Sequence, residues 1–168
     1  MLISQDSNGS FRKLNFNISS ISTHDVYHFL NRDENELMIY MTGIKKEENI
    51  FLQRIIPIKA ARRSMGGFCP DPTDSLQKLL WLDSLGHALH ATWHIHPGLG
   101  PFATMPSERD KKSQECLERG RYETIMVILS RDGFVRFLSI KISFSIHLFG
   151  TGIEVVDEDS NIFKISKT

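Results

Sequence analysis

From Leu138 to Leu148 apolar and polar side chains alternate, with Leu138, Ile140, Ile142, Phe144, Ile146 and Leu148 set against Ser139, Lys141, Ser143, Ser145 and His147. A period of two over that length is satisfied by a strand with one buried face. The same pattern predicts a strand over residues 11–19, with Leu14, Phe16 and Ile18 on one side. Residues 36–44 and 50–58 read as a hairpin around the charged turn at 45–49, with Pro57 near the strand end, where its missing N–H matters least. Residues 87–96 alternate too: Ala88, His90 and Thr92 on one face, Leu89, Ala91, Trp93 and Ile95 on the other. Residues 124–130 are a continuous apolar run, suited to a strand buried on both faces. Asp132-Gly133 signals a hairpin after it, and residues 153–156 and 162–165 form a terminal hairpin.

Helical spacing occurs three times. Ser22 or Thr23 offers an N-cap for a helix to about residue 31, with Val26, Phe29 and Leu30 inward. Thr73 or Asp74 caps a second helix, whose stripe is Leu76, Leu79, Leu80 and Leu85 and which Gly86 ends. Ser107 opens a third, ending near Gly120, with Cys116 and Leu117 available for packing. Residues 60–72, containing Gly66-Gly67, Pro70 and Pro72, read as a loop. The expected fold class is α/β: a mixed, mainly antiparallel sheet flanked by helices, in a single domain spanning residues 1–168.

Composition narrows the function classes. The 168 residues hold 20 basic and 20 acidic side chains, and a sequence-independent grip on nucleic acid needs a basic excess. Cys69 and Cys116 are far apart and form no C-x-x-C pair, which fits a reducing cytoplasmic compartment. Residues 1–6 lack the charged and apolar regions of a signal peptide. No stretch reaches the roughly 18 apolar residues of a membrane span. The expected protein is cytoplasmic, with neither a nucleic-acid nor a membrane partner.

The chemistry concentrates in Trp93-His94-Ile95-His96-Pro97. Residues two apart on a strand point to the same side, so His94 and His96 present their imidazoles together. Asp110 supplies a third zinc ligand if the chain between folds back, which Pro97, Gly98, Gly100 and Pro101 permit. Three protein ligands leave a fourth position open, as a catalytic zinc requires. Ser107 and Asp110 also fit an ordinary helix start, with Ser107 as N-cap and Asp110 at N3. The two readings need not compete.

His94-Ile95-His96-Pro97 followed by Ser107-Glu108-Arg109-Asp110 resembles the H-x-H-P…S-x-x-D signature of the JAB/MPN family of zinc metalloproteases, also called JAMM proteases. That family places a glutamate on an upstream strand, some residues ahead of a glycine, as Glu36 stands to Gly43. The resemblance implies a JAB/MPN-like fold with one zinc per chain held by His94, His96 and Asp110. It makes Glu36 the general base, with Glu34 as fallback, passing a proton from the attacking water to the leaving amine. Ser107 would hydrogen-bond the developing oxyanion.

The resemblance also implies a substrate: a ubiquitin-like protein, cleaved after its C-terminal tail by precursor processing or deconjugation. The thirteen residues from Pro97 to Arg109 exceed the spacer of eukaryotic deubiquitinating members. The longer form is similar to prokaryotic JAB proteins, including those encoded with ubiquitin-like, E1-like and E2-like proteins in antiphage defence operons. Rival readings are a non-catalytic MPN-like scaffold, whose members typically lose metal ligands, and another JAB-type zinc hydrolase. A zinc nucleobase deaminase needs H-x-E with P-C-x-x-C, which this sequence lacks.

Overall fold

The computed structural model describes residues 13–120 and 122–166. Phe11, assigned above to the first strand, and residues 1–6 lie outside them. In chain order the elements are β1 (Leu14–Ser19), α1 (Ser20–Leu30), β2 (Met38–Lys46), β3 (Asn49–Pro57), β4 (Ala60–Ser64), β5 (Gly67–Pro70) and α2 (Pro72–Ser84). There follow β6 (Ala91–Ile95), a short 3-10 helix (Pro101–Thr104), α3 (Glu108–Arg119), β7 (Ile125–Leu129), β8 (Phe134–Leu138), β9 (Phe144–Phe149), β10 (Ile153–Asp157) and β11 (Ile162–Ile165). Among the described residues nine strands form one sheet, ordered β10-β11-β8-β7-β6-β2-β3-β1-β9, and β4 pairs with β5 alone. The contacts β6–β7, β1–β3 and β1–β9 are parallel and the rest antiparallel, so the expected mixed, mainly antiparallel sheet is what forms. No helix among the described residues is long and apolar enough to cross a membrane.

The sheet separates two packed layers. Ile39 and Met41 of β2 join Trp93, Val127 and Phe137 in one core, covered by Val26 and Leu30 of α1. Tyr40, between them, points the other way and meets Leu82 of α2, with Leu117 of α3 packed alongside. Every residue of β6 and β7 is buried, as the apolar run at 124–130 predicts. The β2–β3 ladder is bulged between Thr42 and Gly43. A Cβ on Gly43 would lie 1.8 Å from the Phe51 carbonyl oxygen, so only glycine fits there.

Several boundaries differ from the sequence reading, each for a local reason. Ser19, not Ser22 or Thr23, caps α1: its Oγ accepts the Ser22 N–H at 3.0 Å. Asp71 caps α2 by accepting the Asp74 N–H at 2.9 Å, with Pro72 in the first turn, while Asp74 turns to the Lys59 N–H at 2.9 Å. The α2 stripe is also rotated: Leu82 is buried, and Leu76, Leu80 and Leu85 are exposed. The supposed loop at 60–72 contains the β4–β5 hairpin, with Gly67 opposite Ser64. Because every β4 side chain after Ala60 is exposed, that strand carries no alternation to read.

The long strand at 138–148 is broken in two. The Glu118 carboxylate of α3 accepts the Ser139 hydroxyl at 2.7 Å and the N–H groups of Ile140 (2.9 Å) and Lys141 (2.7 Å). That turns the chain away from β8, and its second half becomes β9, an edge strand on β1. The buried face of α3 is accordingly polar, made by Gln114 and Glu118, whereas Cys116 is exposed.

His90 sits buried just before β6, with Nδ1 3.3 Å from the Glu123 carbonyl. Burial pushes its pKa below the ordinary value, against the pull of the Glu123 carbonyl and carboxylate. The unfolded chain therefore binds a proton at His90 more readily, so stability is lost as pH falls below about 6.5 toward the folded pKa. His90→Gln should flatten the fall in unfolding free energy between about pH 6.5 and 5, by at most about 1.4 kcal/mol per pH unit. Urea titrations of both proteins across that range measure it; parallel curves would show that His90 contributes nothing to the slope.

Candidate metal centre

The central strand β6 delivers His94 at its penultimate position, and His96 follows just past its end. Their Nε2 atoms lie 3.1 Å apart. The Asp110 carboxylate closes the triangle, Oδ1 3.5 Å from His94 Nε2 and Oδ2 3.5 Å from His96 Nε2. A tetrahedral zinc with ligand distances of about 2.0–2.1 Å has ligand–ligand edges of roughly 3.3–3.4 Å. The two nitrogens stand close to that edge, and each faces a different oxygen of the carboxylate, so the three side chains form a group that could hold a metal ion.

Ring orientation supports the same fit. His96 Nδ1 lies 2.8 Å from the Ala103 carbonyl oxygen. A carbonyl can only accept, so Nδ1 carries a proton, and in the neutral imidazole Nε2 is then the nitrogen with the lone pair that a metal-ligating histidine requires. The 3-10 helix supplies Ala103, and the loop reaches it because Gly98 has no side chain: a Cβ there would come 2.8 Å from Ala103 Cβ. Among the described residues His94 Nδ1 is buried without a hydrogen-bond partner, so none of them orients His94 as Ala103 orients His96.

Asp110 serves α3 and the histidines at once. Its Oδ2 accepts the Ser107 N–H (2.8 Å) and hydroxyl (2.6 Å), and Ser107 Oγ accepts the Asp110 N–H (3.2 Å), which completes a capping box. The helix-start reading is thus realised, and the same carboxylate faces both imidazoles. Burial opposes its ionisation, but hydrogen bonds from His94, His96 and Ser107 and the charge of His94 hold it well below the ordinary carboxylate range. Burial likewise opposes charge on His96, and hydrogen bonds to Asp110 and Ala103, with the charges of Asp110 and Glu36, lift its pKa above the ordinary value.

Glu36 lies two residues before β2 rather than on it. Its N–H donates to the Ser64 carbonyl at 3.0 Å. The β4–β5 hairpin therefore anchors the backbone of this glutamate. Burial pushes its carboxyl upward, while His96 and His94 pull it back. Glu36 shares a cavity wall with His94, His96, Ser107 and Asp110; Glu34 is exposed and lines no part of that cavity.

The cavity measures about 650 Å³. Met38, Tyr40, Phe68, Leu117, Tyr122 and Met126 give it an apolar floor, and Arg109 is its one lysine or arginine. Phe102 and Met105, also on its wall, are 85% and 54% exposed. Of these, sequence reasoning named only Leu117, for packing, and Arg109, within the Ser107–Asp110 segment. Two apolar side chains in a glycine- and proline-rich connection were the available signal for Phe102 and Met105; Phe68 was hidden in the unread hairpin.

No family model matches the sequence, and no curated protein does. In three dimensions the chain is similar to a protein from Desulfitobacterium hafniense, a structural genomics target solved in solution. The TM-score is 0.57 at 15% identity, over 81% of this chain and 94% of that one. At that identity the likeness concerns the fold alone.

Proposed function

We propose that this chain is a JAB/MPN-type zinc metallopeptidase that cleaves peptide or isopeptide bonds after the C-terminal tail of a ubiquitin-like protein. The observation that carries the reading is the meeting of His94, His96 and Asp110 within reach of one metal ion in one cavity with a half-buried glutamate. His94, His96 and Asp110 hold the metal. Zinc bound there supplies Lewis acidity and makes a water nucleophile accessible at neutral pH.

The remaining roles belong to the chain's own groups. Glu36, anchored by its N–H on the Ser64 carbonyl, takes the proton of the attacking water and delivers it to the leaving amine. Ser107 spends its hydroxyl proton on Asp110 and first orients that ligand; turned away from Asp110, the same hydroxyl serves the developing oxyanion. The substrate tail must be extended to enter. β4 and β5 pair only with each other among the described residues, and an edge of that hairpin, beside Glu36, accepts an added strand. Partner E1-like and E2-like proteins would supply conjugates.

Purified protein should carry about one zinc per chain and release a reporter fused behind a ubiquitin-like tail, with release stopped by a chelator and restored by added zinc. Metal-free protein with no cleavage, under conditions where zinc was supplied, identifies a non-catalytic scaffold instead.

A further inference from the structure

Glu36 and His96 lie just beyond one end of the β2–β6 ladder, where Met38 pairs with His94 and the Ile95 N–H donates to the Leu37 carbonyl at 3.3 Å, and each adjoins a loop. The β7–β8 turn touches both loops. On the metal side, the Arg131 N–H donates to the Gly98 carbonyl at 3.0 Å, and Asp132 Oδ1 accepts the Gly100 N–H at 3.0 Å. On the glutamate side, Arg131 Nη1 donates to Asn31 Oδ1 (3.0 Å) and the Asp33 carbonyl (2.6 Å), and Nη2 to the Asn35 carbonyl (3.0 Å). The Arg131 carbonyl in turn accepts the Tyr27 hydroxyl at 2.8 Å and Asn31 Nδ2 at 3.2 Å.

We propose that Arg131 is a positioning residue that sets Glu36 against the metal ligands. It lines no part of the cavity, so it acts on substrate only through the loops it joins. The planar guanidinium places two nitrogens on carbonyls two residues apart, ending at the residue before Glu36. A lysine ammonium cannot reproduce that fork, and charge-assisted hydrogen bonds of this kind are about twice as strong as neutral ones. Arg63 braces the same loop through Asp33 at 2.7 Å, but it reaches from the β4–β5 hairpin and does not touch the loop after His96. Arg131 alone bonds to both loops among the described residues. A misplacement of about 1 Å at a catalytic group lowers turnover about 10²-fold.

This inference rests on the reading of Glu36 as the base, and its test has one arm that does not. Amide hydrogen exchange of the zinc-supplied full chain follows the Glu36 N–H, which is bonded to Ser64. In Arg131→Ala and Arg131→Lys, exchange over residues 33–37 should rise by about tenfold or more, a loss of one to two hydrogen bonds. Exchange in β6 and β7 should stay at wild-type rates. Zinc affinity, read by competition with a chromophoric chelator, should stay within about threefold, since no ligand is touched.

With a reporter fused behind a ubiquitin-like tail as substrate, kcat should fall about 10²-fold with KM nearly unchanged. In a Glu36→Gln background Arg131→Ala should cost nothing further, because groups acting as a unit are non-additive. Unchanged exchange at 33–37 overturns the proposal, as does wild-type kcat with raised exchange, or a loss of zinc affinity that matches the loss of rate. If Arg131→Ala does not fold, Arg131→Lys decides alone. A wild-type protein that cleaves nothing counts against the peptidase reading, and the exchange arm still decides whether Arg131 holds the Glu36 loop.

Discussion

Glu36→Gln is expected to leave a folded, zinc-binding protein whose kcat has fallen by at least about 10²–10⁴-fold, the contribution of a positioned general base. The substitution is nearly isosteric, and the backbone N–H of residue 36 still donates to the Ser64 carbonyl. The three close-set metal donors are His94, His96 and Asp110, and Glu36 is not among them, so metal content should be unchanged. What disappears is a group that exchanges protons. Single-turnover cleavage together with metal analysis separates the two effects. Normal turnover in the glutamine variant would move the base elsewhere on the cavity wall; loss of zinc would make Glu36 a ligand.

The parts of the fold that were legible in the sequence are those where one physical demand acts on a stretch of chain. Ile125–Leu129 had to be buried on both faces, and is. Asp132-Gly133 had to turn, and Gly133 takes φ 91°. Residues 60–70 were missed because β4 exposes the side chains of a hairpin that covers a cavity instead of entering a core. The alternation over 138–148 was read correctly as strand, and wrongly as one strand. The interruption is written on another element, in the carboxylate of Glu118. The α2 stripe failed similarly: which leucines are buried depends on where Tyr40, Ile56 and Phe68 gather, and no local periodicity encodes that.

The site divides along the same line. His94 and His96 could be paired from strand geometry, and Asp110 could be placed at a helix start. Choosing Glu36 over other carboxylates needed the family resemblance, because its partners, Ser64 and Arg131 through Asn35, lie far along the chain. Phe102 and Met105 belong to the connection between His96 and Asp110, and they stand exposed on the cavity wall. That connection thus adds apolar surface beside the two histidines while Asp110 still faces them.

Asp110→Asn should separate the two duties that this residue combines. At N3 of α3 it accepts the Ser107 N–H, and the carbonyl of asparagine can do the same. The metal-free variant should therefore lose only about 0.5–1 kcal/mol, the weight of a weakened cap and one charge at a helix start. Toward the imidazoles the exchange is not conservative: where carboxylate oxygens stand 3.5 Å from both Nε2 atoms, asparagine brings one oxygen, an NH2 group and no charge. Losing an outer-sphere partner of a metal ligand costs roughly 10–100-fold in affinity, and losing a ligand from a set of three should exceed that, with cleavage lost alongside. Chelator competition gives the affinity, and melting of the metal-free proteins gives the cap. If Asp110→Asn held zinc as tightly as wild type, the carboxylate would be a helix cap that happens to lie near two histidines, and the third ligand would have to come from elsewhere in the cavity. If it lost the metal and its metal-free melting temperature fell by the small amount expected, one side chain would be shown to satisfy both readings of the S-x-x-D sequence, capping a helix start through Oδ2 and holding a cation with the same carboxylate.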